Sequence, residues 1–224
     1  KMFNTIAPRY DLLNRLLSFG IDKIWRKKLV KDVRAQQPGN IVDLATGTGD
    51  VAMALTRIPD VPITGLDIAK DMLALAKRKS RHHNMQDRIT WIHGDGEALP
   101  FDDNSYDSAT IAFGIRNYEH LEKGIAEMLR ILTPQGKVYI LEFSKPSGGL
   151  FKQLFRFYFK FILPSIGRLI SRDPSAYTYL PESVDAFPDG EDFLSIMRSV
   201  GFTEATARPL TFGVATLYVG QKPA

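Results

Sequence analysis

Cysteine is absent from this 224-residue chain, which removes disulfides, thiolate metal ligands and any mechanism built on a thiol nucleophile, such as attack on a pyrimidine ring. Histidine is scarce as well. His82 and His83 fall together at a helix end, His93 and His120 stand apart, and none has metal-ligand spacing, so no metal is expected. No run of 18 apolar residues occurs, which excludes a bilayer-spanning helix, and no secretory leader pattern is present, so a soluble cytoplasmic protein is the expectation. The first residue is Lys1, from which a missing natural N-terminus is expected. A large charge imbalance is lacking too: 29 basic against 25 acidic residues leave +4. There are no internal repeats or low-complexity linkers, and the length suits one domain over 1–224 with a sizeable core.

What is present is an alternation of periods. Two amphipathic stretches, about Pro8–Leu17 and Asp22–Gln37, break at Ser18-Phe19-Gly20 and predict N-terminal helices over 1–37. Strand-like runs then recur near 40–45, 62–67, 89–94, 107–112 and 137–143 with helical periods between them, the pattern of a parallel doubly wound α/β sheet. After a helix over 189–200, Thr203–Pro209 and Thr211–Gly220 predict a closing antiparallel hairpin.

The chemistry concentrates where strands end. Ile41-Val42-Asp43-Leu44-Ala45-Thr46-Gly47-Thr48-Gly49-Asp50 carries a buried strand into a turn with two glycines. Gly47 and Gly49 let the backbone approach a ligand with no Cβ in the way, and the helix beginning near Asp50 offers that ligand its free N–H groups. Asp67 ends the second strand 18 residues after Gly49, close to the ~20-residue spacing at which an acid holds ribose hydroxyls. The third strand ends at Asp95-Gly96, an acid able to accept from an adenine amino group, and the fourth runs out at Ala112-Phe113-Gly114. Asp43, Asp67 and Asp95 thus stand at the carboxyl ends of three successive strands, where open α/β sheets bind ligands. The glycine run also fits the loose G-x-G-x-x-G/A pattern of NAD and FAD proteins. Asp43 tips the balance, because a carboxylate sits badly beside a pyrophosphate and well beside a cation. S-adenosylmethionine, with an ammonium, a sulfonium and no phosphate, fits better. The bland alternative is an ordinary glycine turn and a solvated Asp.

On these residues the chain resembles the class I S-adenosylmethionine-dependent methyltransferases, and then something narrower. The stretch from Tyr10-Asp11-Leu12-Leu13-Asn14-Arg15 to Trp25 is similar to the first signature of the demethylmenaquinone and ubiquinone C-methyltransferase family, and Arg130 to Ser144 is similar to its second. Phe113-Gly114-Ile115-Arg116-Asn117, Tyr177 to Ser183 and Thr211 to Ala215 are also similar to family sequence. The family usually has His where Asp22 stands, so no histidine role there is carried over. The resemblance implies a single Rossmann-like methyltransferase domain with a mostly parallel seven-stranded sheet and a C-terminal antiparallel hairpin. It implies S-adenosylmethionine as cofactor and C-methylation of a prenylated hydroquinone, demethylmenaquinol to menaquinol first, with a ubiquinone-pathway benzoquinol as the alternative.

The expected cofactor-binding positions are Asp43, Gly47, Thr48, Gly49, Asp67, Asp95, Gly96 and the backbone at Ala112. Methyl transfer needs no metal, but a hydroquinone carbon is strongly nucleophilic only as the adjacent hydroxyl loses its proton. A phenol with pKa about 10 is only about 0.1% ionised at pH 7. Arg116, directly after the fourth strand, is the expected catalytic residue, stabilising the phenolate or holding a water that takes the proton; it cannot itself be the base. Tyr10 and Asn117 are expected to supply supporting hydrogen bonds. The alternative for Arg116 is a loop salt bridge.

From Lys145 to Arg172 there are six basic residues and no acidic one, interleaved with six aromatics from Phe151 to Phe161. Lys152, Arg156 and Lys160 recur every fourth residue as a basic stripe. The segment 145–185 is expected to face substrate or membrane, with anionic lipid contact through 150–171; a helix roofing the core is the even alternative. The sequence pI of about 9.2 would also suit an RNA methylator. The [Asn/Asp]-Pro-Pro-[Tyr/Phe] motif of amino-group methylators is absent after the fourth strand, however, so no nucleic acid is expected. Another small-molecule methyltransferase and a non-catalytic cofactor-binding scaffold stay open, because fold does not fix function.

Overall fold

A strand that is apolar on both faces needs cover on both, and that requirement sets the layers of this molecule. A computed structural model describes residues 20–146, 153 and 182–224. Its elements run in chain order α1 (Asp22–Ala35), β1 (Ile41–Leu44), α2 (Asp50–Leu55), β2 (Ile63–Asp67), α3 (Lys70–His82), β3 (Ile89–His93), β4 (Tyr106–Ala112), α4 (Leu121–Ile131), β5 (Leu132–Phe143), α5 (Glu191–Val200), β6 (Thr203–Leu210) and β7 (Ala215–Gln221). These strands make one sheet in the order β3-β2-β1-β4-β5-β7-β6. The neighbours from β3 to β5 are parallel, and β7 runs antiparallel between β5 and β6. The mostly parallel seven-stranded sheet with its C-terminal hairpin is therefore present.

All four residues of β1 are buried, and their alternation sorts the core into two layers. Val42 and Leu44 join a cluster with Ile125 and Met128 of α4 and with Phe193 and Met197 of α5. Ile41 joins the opposite cluster, with Trp25 and Leu29 of α1 and Val51 and Leu55 of α2. Asp43 has the parity of Ile41, which puts a buried carboxylate on the α2 side of the sheet.

Element boundaries differ from the sequence expectation where long-range contacts act. α1 stops at Ala35 rather than Gln37, and the Gln36 side chain instead bridges β4 and β5: its amide donates to the Asp107 carbonyl at 3.0 Å and its oxygen accepts from Ser108 Oγ at 2.8 Å and from the Tyr139 hydroxyl at 3.1 Å. β5 begins at Leu132, directly out of α4, rather than at 137. Its register on β4 jumps from Tyr106↔Leu132 to Ser108↔Lys137, so Thr133-Pro134-Gln135-Gly136 bulges out of the ladder, as expected where proline has no N–H to give. β7 begins at Ala215 rather than Thr211, because Thr211–Gly213 forms a 3₁₀ turn with Phe212 at φ 57°.

The helix expected over Pro8–Leu17, Tyr10 with it, and the basic aromatic stretch at 150–171 apart from Gln153 lie outside the described residues. Among the described residues no helix is long and apolar enough to cross a membrane.

Candidate active site

The carboxyl ends of β1 to β4 converge on a cleft of about 270 Å³. Five of the expected site residues line it: Gly47, Asp67, Asp95, Gly96 and Asn117. Asp67 is 8% exposed, and both of its oxygens are held from below. Oδ2 accepts from the Gly47 amide at 2.7 Å and Oδ1 from the Ala69 amide at 2.7 Å. Burial raises its pKa, while these two amides pull the other way. Neutral donors, a third being the Ile68 amide, leave the charge uncancelled and an acceptor site over for a ligand hydroxyl. Gly47 reaches this position at φ 57°.

Asp95 ends the next strand in a tight turn, with Oδ1 accepting from the Glu97 amide at 2.9 Å. Glu97 then ties that turn to the segment ahead of α4, its Oε1 accepting from the amides of Glu119 at 2.6 Å and His120 at 3.1 Å. The described lining carries four carboxylates, Asp67, Asp95, Glu97 and Glu119, and no Lys, Arg or His. Such a cleft favours a cationic ligand and repels a pyrophosphate.

Asp43 does not line the cleft, contrary to the expectation that it faces the ligand's cation. It is 1% exposed, with Oδ2 accepting from Thr46 Oγ1 at 2.6 Å and Oδ1 from Thr110 Oγ1 at 2.7 Å. The Ala52 amide in the first turns of α2 also donates to it, so that helix directs an N–H at Asp43 rather than at a ligand. Desolvation pushes the Asp43 pKa up to about 6, against those three hydrogen bonds. Its place is beneath the glycine turn, which it clamps to β4 and α2. Thr48 and Gly49 also sit behind the lining. Thr48 accepts from Lys79 Nζ at 3.1 Å, and a Cβ on Gly49 would lie 2.5 Å from the Trp91 ring. Ala112 packs into the α1-side core, and the wall expected of it is made by Phe113 and Gly114.

Arg116 departs most from its expected role. Its side chain is 7% exposed and its partner Glu142, near the end of β5, is 0% exposed. Nη1 donates to Glu142 Oε1 at 2.7 Å and also to the Phe113 carbonyl, Nε donates to Ser183 Oγ at 3.3 Å, and the guanidinium lies 5.5 Å from the Phe143 ring centre. These contacts match the salt-bridge alternative of the sequence reading, with the charge of Arg116 compensated by Glu142. Arg116 borders a second cavity, of about 450 Å³, together with Ile115, Tyr118, Leu121 and Phe187.

Lining residues not anticipated from sequence include Ile68, Met72, Glu97, Tyr118 and Glu119. Ile68 is 64% exposed and comes directly after Asp67, so an apolar residue next to a strand-end acid is the available signal. Glu97, Tyr118 and Glu119 have none, because their roles depend on contacts between the 95–98 turn and the start of α4.

The model of the ubiE/COQ5 methyltransferase family matches residues 1–222. A ubiquinone/menaquinone biosynthesis C-methyltransferase UbiE of Geobacter sulfurreducens is 50% identical over 223 residues, covering 99% of this chain and 87% of that protein. A demethylmenaquinone methyltransferase of Thermus thermophilus is 47% identical over 223 residues, covering 99% and 100%. Among solved structures, a candidate S-adenosyl-L-methionine-dependent methyltransferase from Methanococcus maripaludis superposes with a TM-score of 0.72 over 100% of this chain and 95% of its own, at 21% identity, which is a likeness of fold.

Proposed function

The chain belongs to the ubiE/COQ5 methyltransferase family, and from that premise we propose that it transfers the methyl group of S-adenosylmethionine to a ring carbon of a prenylated hydroquinone, converting demethylmenaquinol to menaquinol. The acidic cleft carries the cofactor reading: four carboxylates and no basic side chain among its described lining suit an ammonium-sulfonium ligand and disfavour a dinucleotide. The names of its full-length relatives support the acceptor class.

Asp67 would hold the ribose hydroxyls, Asp95 the adenine amino group, and the turn at Gly47 the amino acid end, with Ile68 giving the purine an apolar face. Bound there, the cofactor supplies an electrophilic methyl carbon. The chain's part is to position the acceptor and exclude water, which by itself can supply much of the barrier lowering. Asn117, at the cleft margin after β4, is assigned a hydrogen bond to the acceptor, and so is Tyr10. Arg116 is assigned as a positioning residue, holding the loop after β4 through Glu142. The stretch 150–171 is assigned contact with an anionic membrane surface at the cytoplasmic face, where a prenylated acceptor resides. Reversing Lys152, Arg156 and Lys160 to Glu should reduce sedimentation with anionic vesicles; unchanged sedimentation would remove that assignment.

The decisive experiment offers reduced and oxidised naphthoquinone and benzoquinone acceptors anaerobically with labelled S-adenosylmethionine, and reads products by mass spectrometry. Label should enter the ring of the reduced naphthoquinone, since the quinone has no ionisable hydroxyl to activate its carbon. Stronger labelling of the benzoquinol moves the acceptor to the ubiquinone pathway. Equal labelling of oxidised and reduced forms refutes the quinol mechanism.

A further inference from the structure

The solvent face of α1 carries one sign of charge. Lys23, Ile24, Lys27, Lys28, Lys31 and Arg34 are all exposed, and at 3.6 residues per turn they share an arc of about 140°. The opposite arc, with Trp25, Leu29, Val30 and Val33, is buried in the core. Neither acid of the helix offsets the five cations: Asp22 is buried and paired with Arg26, and Asp32 is paired with Arg208 of β6.

Two large apolar side chains stand out at one end of this face. Among the described residues the exposed large hydrophobics are Ile24 at 54%, Phe212 at 80% and Ile68, which belongs to the cleft lining. Ile24 and Phe212 come together because Trp25, next to the first, donates its indole N–H to Thr211, next to the second, at 2.8 Å. The backbone holds Phe212 there at a cost, since Thr211, Phe212 and Gly213 follow one another in the left-handed region at φ 46°, 57° and 86°. This is also the end of the molecule where the cleft opens. β6 and β5 both run antiparallel to β7, so the 211–213 turn shares the carboxyl edge with the ends of β4 and β5, and Trp25 packs there on Phe113 and Phe143.

A cationic helix face with apolar groups at its end matches an anionic lipid surface, where headgroup phosphates attract the cations and hydrocarbon accepts the apolar side chains. We propose that α1 lies along an anionic bilayer, with its five cations at the headgroups and Ile24 and Phe212 inserted, and so holds the mouth of the cleft at the lipid. This surface is separate in the chain from 150–171 and does not depend on the assignment of that stretch; only its consequence for turnover rests on the prenylated-acceptor reading.

The test is sedimentation of the full chain with vesicles of phosphatidylcholine alone or mixed with an equal part of phosphatidylglycerol. Two variants, Lys27→Gln with Lys31→Gln and Ile24→Ser with Phe212→Ser, would be compared with the wild type, each also in a background carrying Lys152→Glu, Arg156→Glu and Lys160→Glu. The charge pair should lower partitioning into the anionic vesicles by roughly 25-fold, about five-fold for each cation removed from the surface. The apolar pair should lower it on the order of 10-fold, the scale of partly burying two such side chains, while keeping the salt dependence of the wild type. Melting temperatures should hold, because the substituted side chains are exposed. For the charge pair, turnover of a soluble tailless quinol should be unchanged, and turnover of a long-tailed quinol in anionic vesicles should fall.

If both variants sediment as the wild type does, the proposal fails. It fails equally if only the reversals at 152, 156 and 160 release the protein, a result that leaves the 150–171 assignment standing. An apolar pair without effect refutes insertion, and a wild type that binds a short RNA duplex more tightly than anionic vesicles makes α1 a nucleic-acid face instead. Vesicle binding as expected, with no quinol methylated by the wild type, would overturn the acceptor reading and leave the surface in place.

Discussion

On the bank of the cleft formed by β2 and β3, Asp67 and Asp95 are held by backbone amides; where β4 and β5 end, Glu142 is held by the guanidinium of Arg116. Amides orient a carboxylate without cancelling its charge, so the first bank can still attract and grip a cation. A guanidinium cancels the charge it touches, so the second bank is electrically closed and acts as a brace. Asp43 belongs to neither bank: hydroxyls and one amide hold it under the glycine turn, behind the cleft lining.

Breaking the brace should have the largest effect. Arg116→Ala leaves Glu142 buried and unpaired, for which about 3–5 kcal/mol of stability should be lost in urea unfolding, and Glu142→Gln in the same background should recover part of it. A change below about 1 kcal/mol, with turnover abolished, would return Arg116 to the catalytic role expected from sequence.

Next comes the clamp beneath the turn. The Asp43 pKa is raised in the fold from 3.8 to about 6, so the folded state binds its proton more tightly than the unfolded chain. The associated stability is fully present below about pH 4 and is lost as pH rises through about 6, amounting to about 3 kcal/mol. Unfolding free energies at pH 4.5 and pH 7 should show about 2 kcal/mol of that decline, against Asp43→Asn, which lacks it. Parallel pH curves for the two proteins would mean that Asp43 is not desolvated.

On the open bank, Asp67→Asn should weaken S-adenosylmethionine binding by about 2 kcal/mol, roughly 30-fold, while melting changes little. Equal affinity for the two proteins would take the ribose away from Asp67. The smallest effect is expected at Asp95, which is exposed: Asp95→Asn should cost about 1 kcal/mol of cofactor affinity by calorimetry. If Asp95 mattered more than Asp67, the order of ribose and adenine along the cleft would have to be reversed.

Much of the site is legible in the chain because strand-end acids and a glycine turn are local signals. The four-residue run Ile41–Leu44 announces a strand, and the residues just past the carboxyl end of a parallel strand face the ligand crevice whatever the rest of the fold does. That rule picks out Asp67 and Asp95, and both line the cleft. It misplaces Asp43, because that residue's face of β1 is roofed by α2 and alternation along a strand does not say which face is covered. Arg116 is misplaced for another reason: its partner lies 26 residues away on another strand.

The sequence by itself determined the order of elements, the parallel core of the sheet, the family and the acids that end β2 and β3, since period, turn chemistry and motif spacing act over a few residues. Tertiary structure alone decided which charges remain available. Arg116 became a brace and Asp43 a buried clamp through contacts with Glu142 and Thr110, and a charge acquires its chemistry from the groups and solvent around it, which a linear pattern does not contain.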